Sequence, residues 1–279
     1  MTSLPRHTLG NLFLLANCLA IARADGPADA EPAGQARLQY LRSRAAECEL
    51  FKAADRGTPL GLAKEPVVRY SDPVAASGFN DGGTFLWLDG QRPLAVATWS
   101  IRGPGNVYRE FTSLSAEPLT CLRRRREIWS PKTGGFVNHL LPQAPAPLAG
   151  AAGRLGQMRE LAGRFSAQVH MPRDEIAVTD LRLAGEPIHR FKDETTGVLD
   201  GALFSFAEAT DPEALLLLEA RRDKPDAEHQ WRYTLARMTT MRLTVRLDGK
   251  ECWSVTNFWR YPRWASDPYV ESADGKYKE

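Results

Sequence analysis

Acidic residues that recur at matching positions are the first candidates for chemistry in this chain. The segment Leu60–Tyr70, LGLAKEPVVRY, is matched about 120 residues later by Leu181–Phe191, LRLAGEPIHRF, and both contain Glu-Pro. Further along, an Asp-Gly pair at Asp81 corresponds to another at Asp200. Two carboxyl groups on either side of a sugar linkage can serve as the acid and the nucleophile or base of a glycoside hydrolase. The catalytic candidates are Glu65, Glu186, Asp200 and His189.

The same residues have a structural interpretation. Glu-Pro can turn a strand corner, the arginine four residues later can pair with the glutamate, and Asp-Gly can begin a turn. Two copies of a catalytic pair rarely serve one site, whereas a fold determinant is expected in both copies. His189 replaces Val68 in the second copy, and a single histidine on an extended segment is more often a surface or packing residue. We favour the structural interpretation and keep hydrolysis as the alternative.

Aromatic residues are densest near the C-terminal end, between Trp253 and Trp264, where arginines are interleaved with them. Such a stretch can stack on sugar rings or form the centre of a partner interface. It can also cover an open sheet edge or the core, because exposed aromatic patches are uncommon. The residues predicted to bind a ligand or partner are Trp259, Arg260, Tyr261, Arg263 and Trp264.

Known catalytic and metal-binding motifs are missing from the sequence. It contains no nucleophile elbow, zinc-protease motif, phosphate loop, dinucleotide-binding glycine pattern or calcium loop. The histidines are widely separated and the cysteines form no Cys-x-x-Cys pair, so we expect no metal and no cofactor. Cys48, Cys121 and Cys252 follow the N-terminal segment, and a disulfide between Cys121 and Cys252 stays an open alternative.

The first residues predict export. Arg6 is followed by the apolar stretch Leu9–Ala22 and an Ala-x-Ala site, a pattern typical of a signal peptide cleaved after Ala24. Lipidation of Cys18 is disfavoured because an asparagine precedes it. Cleavage removes two of the 36 basic residues and none of the 34 acidic ones, so the mature chain is formally neutral, which opposes nucleic-acid binding. We expect a periplasmic or secreted protein without a transmembrane segment in its mature chain.

Hydrophobic spacing indicates which elements must position these residues. Apolar residues recur at helical spacing from Leu38 and again from Leu155, and strand-like segments follow each helix. Asp89-Gly90 and Asp248-Gly249 predict tight hairpins. The predicted fold is α+β with an internal duplication, in which each repeat is one amphipathic helix packed on an antiparallel meander sheet.

The predicted organisation comprises five segments and one local charge cluster. The run Arg123–Arg126 aligns with a hairpin turn of the other repeat, so we expect it at a solvated hairpin tip. The segments are a signal peptide (1–24), a first repeat (33–140), a Pro/Ala-rich linker (141–152), a second repeat (153–264) and a polar tail (265–279).

Three phrases in the second half resemble uncharacterised exported proteins of planctomycete-type bacteria: LDGALF at Leu199–Phe204, TDPE at Thr210–Glu213 and ARMT at Ala236–Thr239. The resemblance implies export and a shared fold, and it implies no activity. We therefore expect a non-catalytic binding or scaffold protein of the cell envelope, with a groove between the repeats for a polysaccharide or a protein partner. The alternatives are a polysaccharide hydrolase with converging carboxylates and a purely structural component without a concave site. Pairing of each acid with an arginine would favour the scaffold.

Overall fold

The computed structural model describes residues 32–72, 80–170, 177–258 and 265–278. These residues form two helices, α1 (Pro32–Ala46) and α2 (Ala151–Ala162), and 18 strands. The strands of the first half are β1 (Cys48–Lys52), β2 (Gly61–Leu62), β3 (Val68–Asp72), β4 (Asn80–Asp89), β5 (Arg92–Arg102), β6 (Asn106–Ser113), β7 (Leu119–Arg123), β8 (Arg126–Trp129) and β9 (His139–Leu140). Those of the second half are β10 (Phe165–His170), β11 (Val178–Leu183), β12 (His189–Asp193), β13 (Val198–Glu208), β14 (Asp211–Arg221), β15 (Gln230–Arg237), β16 (Arg242–Leu247), β17 (Lys250–Val255) and β18 (Tyr269–Lys276).

The predicted α+β fold, with a helix packed on a meander, is wrong. The protein is mostly β, with 52% strand and 13% helix, arranged as three sheets with a half-barrel. In the nine-stranded sheet the order is β17-β16-β10-β11-β13-β14-β15-β9, with β12 paired to β13. A meander pairs strands that are neighbours in sequence, but β10 lies between β11 and β16. The curved sheets enclose most of the core themselves, and each short helix contributes only part of it.

The first half has the same strand order with one break. Its sheets run β8-β7-β1 and β2-β4-β5-β6-β18, with β3 paired to β4. The break falls between β1 and β2, where a single backbone hydrogen bond from Leu60 N to Leu50 O (2.7 Å) connects the two sheets. It arises because β2 has two residues, whereas β11, at the equivalent place, has six and can pair on both sides.

The halves exchange their last strands. Strand β9, the last of the first half, pairs with β15, and β18, the last of the second half, pairs with β6. The segment predicted as a polar tail thus contains a strand of the first half's sheet. The segment predicted as a linker packs on α2, where Gln157 bonds with the backbone of Ala146 and Leu148.

Three apolar clusters form the core. One lies inside each half, and the helices contribute Leu41 to the first and Met158 to the second. The third joins the outer faces of β4 and β5 to those of β13 and β14, and we call this interface the seam. Its fully buried residues include Leu86, Val96, Leu203, Leu215 and Leu217. Burial of each such side chain contributes about 1.5–3 kcal/mol, so the seam holds the halves together strongly.

The predicted hairpins are confirmed. A two-residue turn after Asp89 includes Gly90 at φ +60°, and Asp248 and Gly249 have φ values of +50° and +77°. At Asp248-Gly249, the two consecutive positive φ angles match the right-handed twist of the flanking strands. The basic run also lies at a hairpin tip, since Arg124 and Arg125 connect β7 to β8.

Candidate functional site

A cavity of about 390 Å³ opens at the seam, and we call it the seam cavity. Its volume lies within the range of about 300–1,000 Å³ that is usual for small-molecule sites. Both halves contribute, through the end of β6, the start of β18, the segment leading into β9, and strands β15 and β17. The lining is largely apolar and aromatic, with Val137, Leu235, Ala236, Trp253, Phe258 and Tyr269.

One wall of the seam cavity depends on two glycines. A Cβ on Gly134 would lie 2.3 Å from Ala116 O, and one on Gly135 would lie 2.1 Å from Ser113 O. Both distances are far inside van der Waals contact, so only glycine allows this segment to lie against the chain that leaves β6. The close approach places the exposed side chain of Val137, 58% accessible, beside the cavity.

Among the described residues, two charged ones line the seam cavity, and their surroundings differ. Arg237 donates to the carbonyls of Thr239 (2.7 Å), Met241 (2.7 Å) and Thr256 (3.1 Å), and its guanidinium lies over the rings of Phe258 and Tyr269. The backbone carbonyl of Asp267 accepts a hydrogen bond from Trp129 Nε1 at 2.9 Å. Within the described ranges, the Asp267 carboxylate has no hydrogen bond or ion pair. Arg237 is therefore built into the wall, whereas Asp267 is available to a ligand.

A group of acids lies directly behind the cavity wall, next to Tyr269. Glu110 on β6 faces Glu271 on β18 in register, and Arg102 bridges them at 3.3 Å and 3.0 Å. Asp211 and Glu213 of β14, across the seam, lie close enough to Glu110 to raise its pKa. We call Glu110, Asp211, Glu213 and Glu271 the seam acids.

Burial makes it costly to ionise three of the seam acids, namely Glu110, Asp211 and Glu213. It raises the pKa of Glu213 to about 8, and nearby Asp211 adds to the increase. It raises the pKa of Asp211 to about 6, although Arg102 and hydrogen bonds from Tyr70 and Asn80 oppose the shift. The pKa of Glu110 is also raised well above its ordinary value, first by burial and then by Glu271. At neutral pH, protons are therefore held in this part of the seam.

The opposite end of the seam carries a balanced charge pair. Arg92 and Glu219 form an ion pair at 2.5 Å in which both side chains are less than a tenth exposed. The guanidinium of Arg92 lies 4.9 Å from the centre of the Phe136 ring. Burial raises the pKa of Glu219, while Arg92 and Arg221 oppose that effect.

The predicted catalytic acids are all paired with arginines. Glu65 pairs with Arg42 of α1, and Glu186 pairs with Arg159 of α2. The buried Asp200 receives hydrogen bonds from Arg154 (2.8 Å) and from Arg190 (2.7 and 3.0 Å). In the first half, Asp81 is held in the same way by Arg37 and Arg69. No recorded contact in the described part of the chain joins two of these four acids.

His189 is also held by a structural contact. Its Nε2 lies 2.8 Å from the carbonyl of Gln91, and its ring stacks on Phe191 with centroids 6.1 Å apart. Gln91 also lines a second hollow, of about 440 Å³, whose lining is polar and comes from the β4–β5 turn and residues 192–195. The aromatic and arginine residues predicted for binding, Trp259, Arg260, Tyr261, Arg263 and Trp264, lie outside the described residues.

Sequence reasoning found part of the seam cavity and missed the rest. Trp253 and Phe258 belong to the aromatic stretch and line the cavity. Val137, His139 and Tyr269 were missed because strand exchange brings them to the cavity, and no local pattern indicates an exchange. The seam acids had one weak signal, since Glu213 directly precedes the apolar run 214–218 of β14.

No family model, curated protein or solved structure matches this chain. In the portion that the structure describes, no helix has the length and apolar character needed to cross a membrane. Among those same residues, no group of His, Cys, Asp and Glu is arranged to hold a metal ion.

Proposed function

We propose that this protein is a non-catalytic binding protein of the cell envelope that holds a small, largely apolar ligand in the seam cavity. The observation that carries the proposal is the cavity itself, which is large enough for a small molecule, lined by aromatic and aliphatic side chains and assembled from both halves. Export, predicted from the residues before Asp25 and from the resemblance to exported proteins, is part of this proposal.

The arginine pairing of the duplicated acids favours binding over hydrolysis. A glycoside hydrolase needs two carboxyl groups facing a shared substrate, about 5–9.5 Å apart. Here Glu65 and Glu186 each pair with the helix of their own half, and Asp200 is neutralised by two arginines. The recurrence of Arg37–Asp81–Arg69 as Arg154–Asp200–Arg190 supports an internal duplication in which these residues fix the fold.

The test uses the neutral fluorophore N-phenyl-1-naphthylamine, whose emission rises in apolar surroundings. We expect saturable binding to the native protein and binding at least about tenfold weaker in Val137→Trp, because the indole would fill the cavity mouth. Val178→Trp is the matched control, since Val178 is also exposed, at 43%, and lies on β11 away from the cavity. Absence of saturable binding, or equal loss in both variants, would contradict the proposal.

A further inference from the structure

The charge distribution around the seam cavity indicates which ligand it selects. Of the two charged residues in the described lining, Arg237 is held by three backbone carbonyls, whereas the carboxylate of Asp267 has no partner among the described residues. An anionic ligand would have to displace contacts that Arg237 already makes and would also face Asp267. A cationic ligand would meet an available counter-charge.

The aromatic part of the wall favours the same sign of charge. The face of an aromatic ring is electronegative and attracts cations, including quaternary ammonium groups. The seam cavity presents Trp253, Phe258 and Tyr269. Phe258 and Tyr269 already face the Arg237 guanidinium at 5.5 and 5.0 Å, so Trp253 is the ring of the described lining that a ligand cation would approach.

The residues behind the wall are also acidic. Glu110 and Glu271 lie close enough to Tyr269 that each opposes ionisation of its phenol. Arg102 balances part of this charge through its contacts with both glutamates. Because Arg102 and Arg237 also lie at this wall, Glu110 adds negative potential there only at a pH high enough to ionise it, and Asp267 is the acid on which binding at neutral pH depends.

We infer that the ligand of the seam cavity is a hydrophobic cation, an apolar body that carries a quaternary or protonated amine, with its charge held by Asp267 and the aromatic wall. This inference rests on the proposed function, because it specifies the ligand class of the same cavity. The apolar body occupies the space between Val137, Leu235 and Trp253, and the ammonium group pairs with the Asp267 carboxylate, to which the described residues offer no partner.

The test compares three compounds with the same octyl chain as competitors for bound N-phenyl-1-naphthylamine: octyltrimethylammonium, 1-octanol and octanoate. We expect octyltrimethylammonium to displace the fluorophore at a concentration about tenfold lower than octanol, and octanoate to be weakest. In Asp267→Asn the advantage of the cation over octanol should disappear, while octanol itself binds as before. Asp226→Asn, which changes the same charge at an exposed loop position, should retain the advantage.

Each result has a distinct meaning. Equal displacement by the cation and octanol, or an advantage that survives in Asp267→Asn, would overturn the inference while leaving the seam cavity as a binding site. Preference for octanoate would overturn it in the same way. Failure of the fluorophore to bind the native protein would instead overturn the proposed function.

Discussion

Replacement of Glu213 by glutamine should stabilise this protein in neutral to basic solution. The pKa of Glu213 is raised from its ordinary 4.5 to about 8, mainly by burial and then by Asp211. In the unfolded chain the carboxyl group ionises near its ordinary pKa, whereas in the folded protein it keeps its proton until the higher pH. Between these two values the folded state binds more protons, so the free energy of unfolding must fall as the pH rises.

The size of this effect follows from the shift. Each pKa unit corresponds to about 1.4 kcal/mol, so the full shift corresponds to a loss on the order of 5 kcal/mol between pH ~4.5 and ~8. Because Asp211 shares the interaction, we expect Glu213→Gln to recover about half, on the order of 2.5 kcal/mol, above pH ~8. Glutamine keeps the shape of the side chain and an oxygen for its hydrogen bond with Thr239. Below pH ~4.5 the native protein and the variant should be nearly equal.

The assay is denaturant unfolding at several pH values between about 5 and 9, comparing the native protein with Glu213→Gln and Glu160→Gln. Glu160 is exposed on α2 and is the matched control. The difference between the native protein and Glu213→Gln should grow with pH, while the control follows the native protein. A constant difference across this range, or a variant less stable than the native protein at high pH, would refute the reasoning.

Two further predictions concern the buried pairs and the thiols. Asp81→Asn and Asp200→Asn should each lower the free energy of unfolding by about 3–5 kcal/mol, because each removes the carboxylate that two arginines share. Glu65→Gln changes a half-exposed pair and should lower the free energy of unfolding by less than about 1 kcal/mol. Denaturant unfolding measures both losses, and a small loss at only one aspartate would contradict their equivalence. All three described cysteines are free in the structure and should be alkylated after unfolding without reductant, because the Cys48 and Cys121 thiols hydrogen-bond across β1 and β7 and no bond joins their sulfur atoms. A mass showing two unmodified cysteines would reveal a bridge.

The contrast between hairpins and ion pairs illustrates what the sequence could predict. Asp-Gly turns are determined by two adjacent residues, so both predicted turns are present. The arginine expected to pair with Glu65 was Arg69, four residues further along the chain. It pairs instead with Asp81 on the neighbouring strand, and Glu65 pairs with Arg42 of the helix. Partner choice depends on which elements pack together, and local spacing carries no information about that.

The fold class was mispredicted for a related reason. The helical spacing near Leu38 and Leu155 is real, and both helices exist. Each is short, however, and the sheets curve around their own apolar faces, so the strands determine the architecture. The pairings that create the curvature, such as β10 with β16, join residues about 75 positions apart, beyond the reach of any local pattern.

Strand exchange, the seam cavity and the seam acids depend on one another. Strand β18 brings Tyr269 to the cavity and, two residues later, Glu271 to the acids, while β9 brings His139 from the other direction. A ligand in the cavity would therefore contact strands that belong by sequence to one half and by pairing to the other. Because Tyr269 separates the cavity from Glu110 and Glu213, whose pKa values are raised by burial, a bound cation would favour the ionised forms of these two groups. By linkage, the same interaction would make cation binding tighter when those groups are ionised. If the ligand is the proposed cation, occupancy of the cavity and the charge of the seam would thus be coupled across the Tyr269 side chain.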